Sequence, residues 1–153
     1  MKIADMSQRD TMKCLVFMRV AEALSEMATC HRRKVGCVLL DANWKIIGTG
    51  YNGVPSGMDH CSEGSLCPGA MAESGTNLDR CYSIHAENNA LMQCHNTDDI
   101  RIAVCTTWPC ARCLMTLMNT GCQTIIFRRA YPGMVDGMQL WDDHGRDVLQ
   151  LPE

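Results

Sequence analysis

His85-Ala86-Glu87, followed after 21 intervening residues by Pro109-Cys110-Ala111-Arg112-Cys113, constrains this chain more than any other stretch. One imidazole and two thiols are a typical zinc donor set, and three such donors leave a fourth coordination position open. Structural zinc usually has four protein ligands, whereas three ligands beside a carboxylate describe a metal that activates water. His85, Cys110 and Cys113 are therefore the candidate metal ligands, with Glu87 the candidate catalytic carboxylate.

Each residue type has a physical reason to be there. Two thiolates hold zinc firmly, and a neutral imidazole completes a charge-balanced set. Bound zinc lowers the pKa of its water by roughly nine units, to near 7. Glu87 is placed to take the proton released and pass it on. The run Ile84 to Cys94 reads as a helix, with Ser83 available as its cap. Residues two apart point roughly 200° apart around a helix, so His85 and Glu87 share a target only at the helix mouth. Pro109 marks a first-turn position of a second helix, Cys110 to Gly121, where exposed amides and the helix dipole favour thiolates.

Composition bounds the rest. At 153 residues there is room for one core, so a single domain over residues 1–153 is expected. Only two Phe occur, which leaves that core to Leu, Ile, Val, Ala and Met. A net charge of -3 disfavours a polynucleotide partner, while a free nucleotide needs only a few local cations. Met1 to Asp10 lacks an apolar signal core and no 18-residue apolar run occurs, so no membrane span and a cytoplasmic location are expected. Eleven Cys is an odd number with no export signal, which suits metal ligands and buried thiols better than a disulfide framework. Cys14, Cys37, Cys94, Cys105 and Cys122 are read as inert core thiols.

Along the chain, Thr11 to Ala28 has an apolar helical stripe at Met12, Leu15, Val16, Val20, Leu24 and Met27. Val35 to Leu40 and Lys45 to Gly50 read as strands joined by a turn at Asp41-Ala42-Asn43-Trp44. Further strands are expected at Arg101 to Thr106, Gln123 to Arg129 and Asp147 to Leu151, with a short helix near Met134 to Asp143. This order implies an α/β fold, a three-layer α/β/α sandwich around a mixed five-stranded sheet. Strand ends feeding helix N-termini form the pocket in such folds.

The His-x-Glu and Pro-Cys-x-x-Cys pair is the signature of zinc deaminases that act on bases. The run Gly50-Tyr51-Asn52-Gly53-Val54-Pro55-Ser56-Gly57, then His85-Ala86-Glu87-Asn88-Asn89-Ala90-Leu91 and Thr107-Trp108-Pro109-Cys110, resembles deoxycytidylate (dCMP) deaminases, phage and bacterial members included, over about residues 10–150. The zinc motif alone is shared with cytidine, guanine and tRNA adenosine deaminases; the Tyr-Asn-Gly-x-Pro loop and Asn89 narrow the choice. The resemblance implies a cytidine deaminase-like fold and hydrolysis of dCMP to dUMP and ammonia, feeding dTMP synthesis, by attack of a zinc-activated hydroxide on cytosine C4. Carried onto matching positions, Glu87 is the proton shuttle, the Ala86 amide meets the pyrimidine O2, Asn52 contacts the sugar and Tyr131 lies against the base. Read without the family, Asn52 is a turn residue before Gly53 and Tyr131 a loop aromatic.

Two cationic clusters, Arg32-Arg33-Lys34 and Arg128-Arg129, are available either to the phosphate or to a neighbouring subunit's nucleotide. Some members of the family carry a second, structural zinc in the segment between Asp59 and Tyr82. Cys30 and Cys61 match two of its usual positions, and Cys67 and Cys81 could complete it, with His60 or His31 as substitutes. The family is often hexameric, activated by dCTP and inhibited by dTTP with Mg²⁺ through the loop that holds Tyr51 and Gly53 here. Two rivals share the zinc centre: a nucleoside cytidine deaminase, and a tRNA adenosine deaminase, which would need a basic face for folded RNA.

Overall fold

The computed structural model describes residues 6–61, 67–73, 76, 80–131 and 134–153. One mixed sheet organises them, with strand order β2-β1-β3-β4-β5. The strands are β1 (Gly36–Leu40), β2 (Ile46–Tyr51), β3 (Ile102–Thr107), β4 (Thr124–Arg129) and β5 (Asp147–Gln150). β1 runs antiparallel to both β2 and β3, whereas β3, β4 and β5 are parallel. The β1–β2 hairpin closes at Trp44, which takes a positive φ of 63°. Every expected strand is present within one residue of its expected ends.

Side-chain alternation sends the strands' apolar residues to two separate cores. Val38, Leu40, Val104 and Ile126 meet α1 (Gln8–Glu26) on one face. Cys37, Leu39, Cys105, Ile125 and Phe127 meet α2 (Ala86–Leu91), α3 (Ala111–Met118) and α4 (Met134–Asp143) on the other. The result is the three-layer α/β/α sandwich that the element order implies.

The buried stripe of α1 matches the expected one at Leu15, Val20 and Leu24, which pack against the sheet-facing core, and differs from it elsewhere. Cys14, Met18 and Ala21 are fully buried, whereas Met12 and Val16 are 57% and 46% exposed. Packing against the sheet decides this rotation. A Cβ at Gly36 would lie 1.9 Å from the Ala21 carbonyl oxygen, so the helix rests on bare backbone at its smallest side chain. Helix α1 also starts earlier than Thr11, because Ser7 caps it by accepting from the Asp10 N–H at 3.1 Å.

On the opposite face Gly50 has the same function for α2. A Cβ there would lie 2.2 Å from the Ala86 carbonyl oxygen. The six-residue helix is thereby pressed onto β2. The C-terminal end of α3 is tied down by Arg146, which donates to Cys122 O at 2.6 Å and Met118 O at 2.7 Å while its guanidinium covers Trp141 at 4.9 Å.

Cys14, Cys37, Cys105 and Cys122 are fully buried core thiols, and Cys94 is half-buried with its thiol directed at Ala90 O. Burial pushes Cys14 up to about 11 and Cys122 up to about 12, so both stay protonated and unreactive at neutral pH. Among the described residues no helix is long and apolar enough to cross a membrane.

Candidate active site and metal centre

The site forms where two short helices begin. His85 precedes α2 as its N-cap and Cys110 precedes α3 as its N-cap, both with extended backbone. Neither side chain makes a capping hydrogen bond. A capping side chain typically contributes about 1 kcal/mol to its helix, so two adjacent helices forgo that stabilisation. The two side chains turn to a common centre instead. His85 Nδ1 lies 3.4 Å from Cys110 Sγ and 3.4 Å from Cys113 Sγ.

Those distances suit a metal. Thiolate sulfur at about 2.3 Å and imidazole nitrogen at about 2.0–2.1 Å from one tetrahedral ion lie about 3.5 Å apart. The three donor atoms all fall within 4.8 Å of one another, and Cys110 and Cys113 are buried. The set fits zinc with one position open. The Cys113 thiol and then His85 hydrogen-bond Cys110 and hold it down to about 4, whereas Cys113 is driven far up. The hydrogen bond to Cys110 holds His85 above its ordinary value. A divalent cation displaces these protons.

Glu87, two residues into α2, is 4% exposed and lines the same cleft as His85 and Cys110. Burial raises its pKa above the usual carboxylate range. A carboxyl so shifted holds a proton more readily than an exposed one.

Backbone pairing holds this arrangement. Gly53 and Ile84 form an antiparallel bridge, with N–H···O distances of 3.2 and 2.8 Å, that delivers the chain to His85. Asn89 donates to Tyr51 O at 2.8 Å and pins α2 to the end of β2. On the other side Trp108 packs edge-on to Phe127, centroids 5.0 Å apart, and its backbone N–H donates to Arg129 O at 2.9 Å. That anchor fixes the approach to Cys110.

Residues 12–129 match the family described as the cytidine and deoxycytidylate deaminase zinc-binding region. This chain belongs to that family. It is 36% identical over 138 residues to the deoxycytidylate deaminase of Schizosaccharomyces pombe, covering 88% of this chain and 40% of the relative. Against the deoxycytidylate deaminase of Mycobacterium phage D29 it is 33% identical over 119 residues, covering 72% of this chain and 90% of the relative. The cyanophage S-TIM5 dCMP deaminase, solved in complex with dCMP and dUMP, superposes with a TM-score of 0.71 at 26% identity, covering 95% of this chain and 99% of that one. The chain spans less than half the length of its two yeast relatives.

Three expectations about this deaminase-family site are corrected by the geometry. Ser83 does not cap α2: its hydroxyl donates to Ile84 O, and it lines the cleft. The helix itself runs only Ala86–Leu91, not Ile84 to Cys94, because His85 takes the cap position. Pro109 stands one residue ahead of the Cys110 cap, not in the first turn of α3.

The other candidates divide. Ala86, Asn52 and Tyr131 all line the cleft. Asn52 accepts from the Val35 N–H and donates to Arg33 O, both at 2.8 Å, which leaves one amide hydrogen and one lone pair for a ligand. Arg33 lines the cleft with its guanidinium 5.4 Å from the Tyr131 ring centre. Arg32 also lines it, and its guanidinium donates to Glu73 O. Lys34 is directed elsewhere and donates to Glu26 O at 3.1 Å. Arg128 pairs with Glu22 of α1, and Arg129 is exposed at the end of β4. Cys30 and Cys81 line the cleft as well, as do Val35, Thr107 and Trp108, which were not singled out in the sequence as contact residues. The strict alternation of β3 is the signal that could have found Thr107.

Cys61, Cys67 and Cys81 pack with Val54 and Ala70 into a small separate core. Burial opposes ionisation of Cys67, but hydrogen bonds from the Tyr82 backbone and from the Cys61 thiol bring its pKa below the ordinary value. Cys30 lies close enough to raise both Cys61 and Cys81 electrostatically. Parts of the segment between Asp59 and Tyr82 (62–66, 74–75 and 77–79) lie outside the described residues.

Proposed function

We propose that this chain is one catalytic domain that deaminates dCMP to dUMP and ammonia. The observation that carries the reading is the convergence of the His85, Cys110 and Cys113 donor atoms within 4.8 Å of one another, with a buried Glu87 in the same cleft. Zinc held by His85, Cys110 and Cys113 supplies an activated water to that cleft. Glu87 would accept a proton from the attacking water and deliver it to the ring nitrogen, then take the proton of the hydroxyl now on C4 and give it to the amine as the C4–N bond breaks and the carbonyl forms. The N–H of Ala86, the first residue of α2, has no acceptor within its own helix and is available to the pyrimidine O2. Asn52 has its remaining amide capacity for the sugar, and Tyr131 offers its ring to the base. Arg33 and Arg32 are the cations within reach of a 5′-phosphate.

The names of the relatives support dCMP, and the guanidinium groups in the cleft favour a nucleotide over a nucleoside. Turnover of dCMP, deoxycytidine, CMP and dCTP under the same conditions tests this. A preference for dCMP over deoxycytidine of at least about tenfold is expected, the factor that roughly one charge-assisted hydrogen bond to the phosphate supplies. Equal turnover of both would make the enzyme a nucleoside deaminase.

A second, structural zinc held by Cys30, Cys61, Cys67 and Cys81 is part of the proposal. The packing of Cys61, Cys67 and Cys81 into one small core supports it. Cys61→Ser should remove about one zinc per chain and lower Tm while leaving the chemical step little changed; an unaltered zinc content would exclude Cys61 as a ligand. We further propose regulation by dCTP and by dTTP with Mg²⁺, supported by a second cleft lined by Val54, Gly57, Met58, Asp59, Cys61, Cys67 and Tyr82 next to the Tyr51-Asn52-Gly53 loop. A homo-hexamer in the cytoplasm completes the reading; the exposed Met12 and Val16 on α1 offer apolar surface for another copy.

A further inference from the structure

Thr107, the last residue of β3, lines the cleft, is 3% exposed, and has a buried Oγ1 with no hydrogen-bond partner. Its neighbours are satisfied. Thr106 accepts from the Gly36 N–H at 3.1 Å, and the Trp108 N–H donates to Arg129 O at 2.9 Å. A buried hydroxyl without a partner loses its hydration for nothing, and folded proteins contain few of them.

The position of this hydroxyl points to a ligand. Alternation along β3 puts Thr107 on the same face as Ala103 and Cys105, the face packed against α2, which carries Glu87. The β1–β3 register sets Cys37 opposite Cys105; continued two residues outward, it sets Thr107 beside Val35, whose N–H is bound by Asn52. The other such atom among the described residues, Arg128 Nε, belongs to a side chain paired with Glu22 of α1 and not to the cleft.

We propose that the Thr107 hydroxyl is a substrate-contact group that hydrogen-bonds the nucleoside half of the bound nucleotide. Arg32 and Arg33 answer the phosphate charge, whereas a neutral hydroxyl beside Val35 and Asn52 suits a polar atom of the pyrimidine or deoxyribose. This contact rests on the proposed deoxycytidylate reading.

Thr107→Val keeps the side chain's shape and removes only the hydroxyl; Thr107→Ser restores it. Steady-state kinetics with dCMP, the Tm shift produced by dUMP, and the Tm without nucleotide are measured on both variants and on the wild type. Thr107→Val should lower kcat/KM about five- to tenfold, the worth of one neutral hydrogen bond, and weaken dUMP binding by a similar factor. Thr107→Ser should stay within about threefold of wild type. The nucleotide-free Tm of Thr107→Val should equal or exceed that of wild type, since no bond is lost in the empty cleft. Wild-type kcat/KM in Thr107→Val, or a lowered nucleotide-free Tm, would overturn the assignment. A wild-type enzyme that neither converts dCMP nor binds dUMP sinks the deoxycytidylate reading, and Thr107 with it; that failure is seen on the wild type, before any variant is compared.

Discussion

Glu87→Gln should retain zinc and lose kcat by about 10³- to 10⁴-fold, the upper range for removal of a positioned acid–base group. The side chain keeps its volume and its place in α2, but its amide can no longer accept a proton from water and release it to the ring and the amine. KM should change little, because the nucleotide's own contacts are elsewhere in the cleft. Zinc content by atomic absorption and kcat by direct assay, measured on one preparation, check the two halves together. The same variant carries a stability signature of opposite sign. Burial raises Glu87 from an ordinary value of 4.5, so in zinc-free protein its ionisation weakens the fold progressively as pH rises through that window. Zinc-free Glu87→Gln should therefore melt higher than zinc-free wild type at neutral pH, with the difference closing below about pH 4, where both states of wild type are protonated.

Cys110→Ser should abolish both metal retention and turnover, an activity loss beyond the roughly 10⁴-fold upper end for the acid–base group alone. Serine supplies no thiolate, and the remaining His85 and Cys113 form only two legs of the tetrahedron. The contrast with Glu87→Gln is the diagnostic feature: one variant is full of zinc and inactive, the other empty and inactive. A Cys110→Ser protein that keeps stoichiometric zinc at the His85 site would remove Cys110 from the ligand set.

The convergence of His85, Cys110 and Cys113 was legible in sequence because donor chemistry depends on residue type and spacing, both of which are written in the chain. The sheet was legible because Val38 to Leu40 and Ile102 to Cys105 are apolar without interruption, as strands covered on both faces must be. What was not legible depended on tertiary contact. The buried face of α1 turned to Cys14, Met18 and Ala21 because Gly36 lies beneath Ala21, and no helical periodicity records which residue faces a glycine on a distant strand. The start of α2 was misplaced because His85 occupies its cap position without making a capping bond, so the usual cap signal at Ser83 pointed to the wrong residue. Lys34 looked equivalent to Arg32 and Arg33, yet its bond to Glu26 O takes it to the end of α1. Thr107 was overlooked because an unpartnered hydroxyl is a property of the folded environment, not of the motif around it.

The most direct test of the account is to incubate zinc-loaded protein with dCMP and follow ammonia release together with dUMP formation. One ammonia per dUMP, abolished by Glu87→Gln and by removal of zinc, is the result predicted. Intact dCMP after incubation with protein whose His85, Cys110 and Cys113 site is shown to hold zinc would contradict it.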